Sequence, residues 1–342
     1  MTCTDPAYWR TTKKPLRFRP DGSFRILMVS DIHGGVGYNK KKTVAAMEAL
    51  TESQNPDLVV FGGDTAGPGH IHIETADQLR SLLTDLSGSM ERRGIPWCHV
   101  FGNHDDNYGV PNEEAEAVYE EFPCCVSKRG DPELSGVGNY VLPVYAAEGE
   151  ELLLNVYGFD SHSGMQDFFI QYGMDPHTPA FPPFVGDHGS DDTVHMDQVL
   201  WYYQLSKAFE REWGRKIPSV MFMHIPLPEF DVVTRYRQDA DLKGHQGEDV
   251  CFTPLNSGLM RACVERGDVK GIFCGHDHWN DFSAVYMGVT LAYDASMSYH
   301  ACQDNDLRGG RIIDFRAEDP GAFATRTVKI RDIMGHAGDS DE

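Results

Sequence analysis

The sequence predicts a layered α/β fold, and three observations carry this prediction. Short apolar, β-prone stretches recur along the chain, and stretches of this length are typical of buried strands. Helical segments follow or precede the ends of these stretches, and such alternation favours strands and helices packed in layers. The last part of the chain, by contrast, reads as consecutive strands.

The predicted elements follow from these patterns in chain order. Five strands that each run into polar residues are expected at 24–29, 58–61, 97–101, 219–223 and 269–274. Helices are expected at about 40–53, 75–93, 112–121, 195–213 and 256–266 because each adjoins one of these strand ends. Further strands are expected at 282–286, 289–293, 311–315 and 324–330.

A single domain over residues 1–335 is predicted, although 342 residues exceed the usual domain size. The polar segments that follow the five strands span both halves of the chain, so a division into two domains would split any site they form. With 41% hydrophobic residues there is ample material for a core. Residues 336–342 are short and polar, so we expect a frayed tail.

The composition argues against several classes of protein. A formal net charge of −22 disfavours a general nucleic-acid binder, which needs a basic surface for the phosphate backbone. No apolar stretch approaches the roughly 18 residues that cross a bilayer, and the first ten residues show no signal peptide. The eight cysteines lack regular spacing and are interpreted as reduced thiols. We therefore expect a cytoplasmic protein of unknown oligomeric state.

The residues that follow the five strands are of metal-ligand types. The candidates are Asp31, His33, Asp64, Asn103, His224, His276 and His278. Each segment alone is explained as well by a turn or a core histidine, but five together at strand ends indicate a metal site. Carboxylate, imidazole and amide ligands suit Zn, Mn, Fe or Mg without selecting one. Seven side chains fit two divalent ions that share Asp64 as a bridge.

These segments resemble, in order, the motifs of the calcineurin-like metallophosphoesterase superfamily. That pattern is Asp-x-His, Gly-Asp, Gly-Asn-His-Asp/Glu, a lone His and Gly-His-x-His, and here it spans residues 31–278. The sequences at 138–140, 224–229 and 275–282 are similar to purple-acid-phosphatase-related phosphatases of plants and fungi, in their intracellular branch. The resemblance implies two mixed β-sheets packed face to face as a sandwich, with helices outside.

The resemblance also implies a role for each residue. Asp31, His33, Asp64 and His278 would hold one ion, and Asp64, Asn103, His224 and His276 the other. His104 would be the unliganded catalytic histidine, which stabilises transition-state charge or protonates the leaving alkoxide.

The expected function is hydrolysis of a phosphoester by a metal-bound hydroxide that attacks phosphorus in line. A phosphomonoesterase acting on a phosphorylated small molecule or a phosphoprotein is the first expectation. A phosphodiesterase or pyrophosphohydrolase for nucleotides or lipid head groups is the alternative within the same chemistry. A catalytically inert metal-site scaffold is the alternative of another class, and the retention of His104 with every ligand argues against it.

One position departs from the related enzymes. True purple enzymes place a tyrosine ligand three residues after the bridging aspartate, and serine/threonine protein phosphatases place there an aspartate that orients the catalytic histidine. This chain has Gly67. We therefore expect no purple colour, the protein-phosphatase interpretation is weakened, and Asp105 becomes the candidate that orients His104.

Other residues near these motifs are further candidates. His245 lies between glycines that permit close approach to a ligand, and it is the candidate substrate-binding residue. His162, His177, His188 and His195 are interpreted as surface groups, one of which could reach a substrate. The segment 161–192 reads as a long irregular loop, either functional or packed on its own aromatic side chains.

Overall fold

The computed structural model describes residues 2–10, 13–67, 71–105, 109–174, 191–253, 255–300 and 306–335. The helices in these ranges are α1 (Pro6–Trp9), α2 (Lys40–Gln54), α3 (Ala76–Arg93), α4 (Asn112–Tyr119), α5 (Met165–Gln171), α6 (Met196–Trp213), α7 (Glu229–Arg235), α8 (Leu259–Arg266) and α9 (Ile330–Met334). The strands are β1 (Leu16–Arg17), β2 (Ser23–Val29), β3 (Leu58–Gly62), β4 (Trp97–Val100), β5 (Tyr140–Tyr145), β6 (Leu152–Gly158), β7 (Ser219–Phe222), β8 (Val269–Cys274), β9 (Ser283–Tyr286), β10 (Val289–Tyr293), β11 (Gly309–Arg316) and β12 (Phe323–Lys329). None of these helices combines the length and the apolar character that a membrane span requires.

The strands form two mixed sheets. One sheet has the order β1-β5-β6-β7-β8-β10-β9, and the other has the order β12-β11-β2-β3-β4. In the second sheet β2, β3 and β4 are parallel, while β11 is antiparallel to both of its neighbours. In the first sheet β6, β7, β8 and β10 are parallel, while β5 and β9 are antiparallel to β6 and β10. Parallel neighbours need crossover connections, which α2 supplies between β2 and β3 and α3 supplies between β3 and β4.

Alternate residues of the five-stranded sheet contribute to two different cores. Along β2, Ile26 and Met28 belong to a cluster that also contains Phe273 of the seven-stranded sheet. Leu27 and Val29 belong to a second cluster, which includes residues of α2 and α3. Because side chains alternate between the faces of a strand, one face of this sheet packs on the other sheet and one face packs on helices. Each such side chain contributes about 1.5–3 kcal/mol by burial.

The predicted α/β layers and the two face-to-face mixed sheets are confirmed. The predicted helices and strands appear within three residues of their expected bounds. The prediction for segment 161–192 was wrong in part, because residues 165–171 form α5. His177, His188 and the predicted tail at 336–342 lie outside the described residues.

Candidate metal centre

The carboxyl ends of β2, β3, β4, β7 and β8 lead into the predicted ligands, and hydrogen bonds join the loops that carry them. Within one sheet, the N–H of His33 donates to the carbonyl oxygen of Asp64 over 2.9 Å. Between the sheets, the N–H of His276 donates to Oδ1 of Asp31 over 3.1 Å. The two halves of the sandwich therefore meet at these loops.

Four of the predicted ligands form one cluster. Asp31, His33, Asp64 and His278 each offer one ligand atom, and these atoms all lie within 4.8 Å of one another. Nε2 of His33 lies 3.1 Å from Nε2 of His278 and 3.6 Å from Oδ2 of Asp64. Nε2 of His278 lies 3.4 Å from Oδ1 of Asp31. This cluster has the composition and the spacing to hold one metal ion.

The three remaining predicted ligands adjoin this cluster. Nε2 of His224 lies 3.3 Å from Oδ2 of Asp64. Nδ1 of His276 lies 3.1 Å from Oδ1 of Asn103. The imidazole rings of His224 and His276 have centroids 5.2 Å apart. Asp64 therefore contacts members of both groups.

The spacing of these atoms fits divalent metal ions. Two ligand atoms that each lie about 2.1 Å from one ion are about 3.0–3.5 Å apart, which is the range of the closest pairs here. Nε2 of His224 is buried without a hydrogen-bond partner among the described residues, although Oδ2 of Asp64 lies 3.3 Å away. Nδ1 of the same ring donates to the carbonyl oxygen of Gly62 over 2.9 Å, so Nε2 is the atom that faces Asp64 and the position of a cation beside it. The set of oxygen and nitrogen ligands suits Zn, Mn, Fe or Mg.

The buried carboxylates of Asp31 and Asp64 favour positive charge within the ligand cluster. Burial raises the pKa of Asp31, but the hydrogen bond to His278 and the charge of His224 outweigh burial, so the net shift is downward. Burial likewise opposes ionisation of Asp64, yet His224 holds the pKa of Asp64 well below its ordinary value. Burial lowers the pKa of His224, but Asp64 and Asp31 outweigh it and raise the pKa to about 10. Burial lowers the pKa of His33 to about 4, which leaves His33 neutral with a free lone pair at pH 7.

Backbone strain is concentrated on the predicted ligands. Eight non-glycine residues in the described ranges have positive φ, and four of them are Asp31 (52°), His33 (49°), Asp64 (49°) and His276 (81°). Such conformations cost about 1–3 kcal/mol each and persist where surrounding structure enforces them, often at ligand clamps. The distribution of strain therefore supports a functional role for these loops.

Two glycines of the motifs make room for ligand side chains. A Cβ atom at Gly63, where φ is 92°, would lie 2.4 Å from Nδ1 of His224. A Cβ atom at Gly102 would lie 2.2 Å from Oδ1 of Asp64. The Gly-Asp and Gly-Asn-His motifs therefore need glycine for a steric reason, because a larger residue would displace a ligand.

His104 lies beside the four-residue cluster. Its ring centroid is 5.5 Å from that of His33, and its backbone N–H donates to Oδ1 of Asp64 over 2.9 Å. Burial is the main cause that lowers the pKa of His104, and the charge of Asp64 opposes this shift.

Asp105 joins two of the ligand loops. Its Oδ1 accepts the N–H of Ala66 over 2.9 Å, and its Oδ2 accepts the N–H of Gly102 over 2.7 Å. These bonds tie the loop after Asp64 to the loop before Asn103. That Asp105 also orients the His104 ring stays a prediction.

The loop at Gly67 has no space for a side chain. A Cβ atom there would lie 2.9 Å from the carbonyl oxygen of His33 and 2.4 Å from Cδ1 of Ile71. The close packing of this loop on the His33 loop accounts for glycine at the position where purple enzymes carry their tyrosine ligand.

His245 is exposed, and its segment pairs with the residues that follow His278. The N–H of His245 donates to Oδ1 of Asp281 over 2.7 Å, and the N–H of Asp281 donates to the carbonyl oxygen of His245 over 2.9 Å. Oε1 of Glu248 accepts the N–H of Trp279 over 2.6 Å. The segment is thus held beside a ligand loop, while contact of His245 with a substrate stays a prediction.

The interpretation of His195 as a surface group was wrong. His195 is the N-cap residue of α6 and is 6% exposed. Its Nε2 lies 2.8 Å from Oδ2 of Asp192, and its ring stacks on that of His162 with centroids 4.0 Å apart. Burial is possible because the carboxylate of Asp192 satisfies the ring N–H.

Asp191 lies beside the predicted ligand His276, and the sequence did not identify it as a site residue. Its Oδ2 lies 3.3 Å from Nε2 of His276, while Nδ1 of the same ring faces Asn103. A carboxylate in this place keeps the imidazole proton on Nε2 and leaves the Nδ1 lone pair for a metal. Asp191 is 85 residues from His276 and lies in no recognisable motif, so no sequence signal could have identified it.

Comparison with known proteins gives relatives along most of the chain. It is 31% identical over 365 aligned residues to a protein named probable inactive purple acid phosphatase 14 from Arabidopsis thaliana, with 95% of this chain and 84% of that protein covered. It is 25% identical over 294 residues to phosphatase DCR2 from Saccharomyces cerevisiae, with 80% of this chain and 47% of that protein covered.

Solved structures show the same fold at low sequence identity. The crystal structure of a dimetal phosphatase from Danio rerio matches with a TM-score of 0.54 and 12% identity, and it covers 89% of this chain and 98% of that chain. Residues 24–280 match the family model described as calcineurin-like phosphoesterase. This range contains all seven predicted ligands and His104. The chain therefore belongs to the calcineurin-like phosphoesterase family.

Proposed function

We propose that this protein is a phosphomonoesterase that uses two divalent metal ions. The observation that carries the proposal is the convergence of oxygen and nitrogen ligands from five strand ends around the buried carboxylates of Asp31 and Asp64. Family membership supports phosphoester hydrolysis. The names of two relatives, which contain the word phosphatase, support a monoester as the substrate.

Each ion has its own proposed ligand set. Asp31, His33, Asp64 and His278 hold one ion, and Asp64, Asn103, His224 and His276 hold the other. When bound, two such ions supply positive charge for the phosphate oxygens and activate water as the nucleophile. The chain itself fixes the carboxylates: Ser30 Oγ donates to Oδ2 of Asp31 over 2.7 Å, and the N–H of His104 donates to Oδ1 of Asp64 over 2.9 Å.

His104 is the proposed catalytic histidine. Its backbone is anchored to Asp64 and its ring lies near His33, so the side chain is held beside the phosphate position. There it stabilises charge on the transferred phosphoryl group or transfers a proton to the leaving oxygen, a role worth about 10²–10⁴-fold in rate. His245 is the proposed substrate-binding residue because it is exposed beside the loop that follows His278.

Two alternatives remain distinct from this proposal. A phosphodiesterase or pyrophosphohydrolase for nucleotides or lipid head groups would use the same ligands. An inert metal-site scaffold is favoured by the word inactive in the name of the Arabidopsis relative. The ligand geometry and the presence of His104 favour activity in this chain.

The test measures hydrolysis of p-nitrophenyl phosphate and of bis(p-nitrophenyl) phosphate after loading with Mn, Zn, Fe or Mg. We expect faster hydrolysis of the monoester. His104→Asn should lower turnover by about 10²–10⁴-fold and keep two ions per chain. His72→Asn is the control, because that ring pairs with Glu74 instead. A faster diester reaction would favour the diesterase, and two bound ions without hydrolysis of either ester would favour the scaffold.

We also propose that residues 1–335 form one domain, because the proposed ligands come from both sheets. Limited proteolysis should then yield a single resistant core rather than two fragments. A cytoplasmic location is proposed as well, since none of the seven cysteines that the structure describes forms a disulfide.

A further inference from the structure

The segment that follows β6 contacts two of the loops that carry proposed metal ligands. Oγ of Ser161 accepts the backbone N–H of His224 over 3.3 Å and that of the next residue over 2.9 Å. Two residues after His162, the backbone forms a β-bridge with Asp191, whose carboxylate lies 3.3 Å from Nε2 of His276. His162 is therefore placed between two contacts with the ligand loops.

His162 also lines a cavity of about 190 Å³. The wall of this cavity includes Gly102, which precedes the proposed ligand Asn103 and packs against Asp64. Pockets for drug-sized ligands measure about 300–1,000 Å³, so this cavity suits a smaller organic group. A phosphate ester bound at the metal centre would have the cavity within reach of its alcohol part.

The backbone of His162 is strained in the same way as the backbone of several ligands. Its φ is 61°, and four of the seven other non-glycine residues with positive φ in the described ranges are predicted ligands. The N–H of His162 donates to Oδ1 of Asp160 over 2.8 Å, which stabilises this conformation. Such strain persists where the surrounding structure enforces it, often at functional sites. It therefore supports a role for the His162 side chain.

A network of amide groups fixes the proton of the His162 ring. Nε2 of Gln198 donates to the carbonyl oxygen of Asp160 over 2.8 Å and to Oδ1 of Asn139 over 2.7 Å. The other end of this amide, Oε1 of Gln198, lies 3.1 Å from Nε2 of His162. Because an amide oxygen can only accept, Nε2 carries the proton in the neutral imidazole, and Nδ1 keeps a lone pair.

Nδ1 of His162 is consequently a hydrogen-bond acceptor open to the cavity. It makes no hydrogen bond within the described ranges, and it is not one of the enclosed polar atoms that lack a partner there. The ring is half-buried and stacks on His195, with centroids 4.0 Å apart and planes 21° apart. The stack and the bond to Gln198 hold the ring in place, so Nδ1 is preorganised for a donor on a ligand.

The rest of the cavity wall favours an uncharged donor. Residues 94–127 and 130–206, which contain every segment of the wall, have no lysine or arginine. A second phosphate or a carboxylate on the ligand would therefore find no cationic side chain here. A hydroxyl group supplies one donor without a charge, and it also accepts. The exposed Glu113 and Gln171 offer polar groups at the wall for further hydroxyls.

A third metal ion is a weaker explanation for the same side chains. His162, Asp192 and His195 have ligand atoms within 4.8 Å of one another. Nε2 of His162 is occupied by its bond to Gln198, however. Nε2 of His195 lies 2.8 Å from Oδ2 of Asp192, and the His195 side chain takes part in the capping box of α6. An ion would have to displace these bonds.

We propose that Nδ1 of His162 accepts a hydrogen bond from a hydroxyl group on the leaving alcohol of the substrate. The substrate class is thus the phosphate monoesters of polyols, in which the alcohol carries a second hydroxyl. This inference rests on the proposed phosphomonoesterase function. His162 is a specificity residue in this assignment, because it binds and orients the alcohol while the chemistry occurs at the metal centre.

The test uses two pairs of esters that match in size. 2-Hydroxyethyl phosphate is compared with propyl phosphate, and 3-hydroxypropyl phosphate with butyl phosphate, so that each pair exchanges a terminal hydroxyl for a methyl group. The hydroxyl preference is the ratio of the two kcat/KM values within a pair. We expect His162 to contribute about 2–10-fold to this ratio in at least one pair, the usual effect of one neutral hydrogen bond.

Matched variants separate this contribution from the intrinsic reactivity of the esters. His162→Gly removes the acceptor at a φ that glycine adopts readily, and it should lower the hydroxyl preference by about 2–10-fold. Met287→Gly is the control, because Met287 also has positive φ but is 70% exposed and lies outside the cavity wall. It should keep the preference. His162→Asn should retain part of it, because the asparagine Oδ1 is attached to Cγ as Nδ1 is in histidine.

The tautomer of His162 gives a readout that does not depend on turnover. Long-range ¹H–¹⁵N NMR spectra distinguish the two neutral tautomers, and the signals that His162→Asn removes identify this ring. We expect the proton on Nε2. A proton on Nδ1 would leave no acceptor towards the cavity and would overturn the assignment.

The kinetic outcomes separate this inference from the proposed function. If p-nitrophenyl phosphate is hydrolysed but His162→Gly leaves the preference of both pairs unchanged, the specificity assignment is wrong and the phosphatase stands. The same holds if Met287→Gly lowers the preference equally. If no ester is hydrolysed with any metal, the proposed function fails and this assignment fails with it. A third ion per chain that His162→Gly removes would assign the ring to a metal instead.

Discussion

Single residues set the ligand geometry through strain and steric contact. Positive φ values occur at four predicted ligands, namely Asp31, His33, Asp64 and His276. Hydrogen bonds between their loops stabilise these strained backbone conformations. Gly63 also helps to set this geometry, because it has no side chain and the His224 ring fills the space that a side chain would occupy. Substitutions at this scale should therefore change metal binding before they change the fold.

Gly63→Ala should displace a metal ligand. The new Cβ would lie 2.4 Å from Nδ1 of His224, and alanine is strained at a φ of 92°. We expect loss of at least one ion per chain and destabilisation of about 1–3 kcal/mol. The control is Gly88→Ala within α3, where the Cβ would meet only Nη1 of Arg92 at 3.2 Å. Elemental analysis that found equal metal content in the two variants would contradict the steric argument.

Asp191→Asn should weaken metal binding without removing a ligand. The carboxylate fixes the tautomer of His276, and loss of such a partner typically lowers metal affinity by about 10–100-fold. Competition with a chelator measures this affinity directly. The exposed Asp239 supplies a charge-matched control as Asp239→Asn, which should bind metal like the wild type. Equal affinity in both variants would show that Asp191 has no positioning role.

Helices and strands are joined by polar contacts as well as by apolar packing. Asp268, which precedes β8, is buried and accepts hydrogen bonds from Tyr202 and Ser206 of α6. This carboxylate therefore fixes the helix over the strand that leads to His276 and His278. A buried acceptor that loses its partner costs more than the bond itself contributes, so this contact is sensitive to small changes.

Tyr202→Phe should destabilise the fold and leave the metal site intact. The hydroxyl donates to Oδ1 of Asp268 over 2.6 Å, and its loss leaves this buried oxygen with only the N–H of Val269 at 3.1 Å. We expect the free energy of unfolding to fall by about 1–3 kcal/mol in urea denaturation. Tyr203→Phe is the control, because its hydroxyl has no hydrogen bond among the described residues, and it should have little effect. Similar losses in both variants would show that the Asp268 contact is not the cause.

At the scale of the whole molecule, the proposed metal centre lies where the two sheets meet. His33 and Asp64 follow strands of one sheet, and His224 and His278 follow strands of the other. Ions held by ligands from both sheets would tie the sandwich together at this end. Metal binding should therefore couple to the stability of the entire fold.

Removal of metal should lower the melting temperature reversibly. At a free metal concentration about 100-fold above the Kd, the bound state gains about 2.7 kcal/mol of unfolding free energy. Differential scanning calorimetry with and without a chelator measures this shift, and restoring the metal should restore it. His104→Asn should show the same shift as the wild type despite its low turnover. A melting temperature that is the same with and without the metal would argue against ligands shared between the sheets.

The sequence by itself determined the layered fold and the set of candidate ligands. Strand, turn and ligand lie within a few residues of one another in each motif, so local patterns suffice to identify them. Gly63 and Gly102, which precede Asp64 and Asn103, are part of the same local sequence motifs. For this reason the predicted strands before Asp31 and His276 agree closely with the observed ones.

Only the tertiary structure decided how these ligands are oriented and what surrounds them. The contact of Asp191 with His276 and the stacking of His195 on His162 both join residues that are distant in the chain. Such contacts depend on how two sheets and their loops pack, and packing leaves no periodic trace in the sequence. The positive φ values at the ligands have the same origin, because the surrounding fold imposes conformations that the residues alone would avoid.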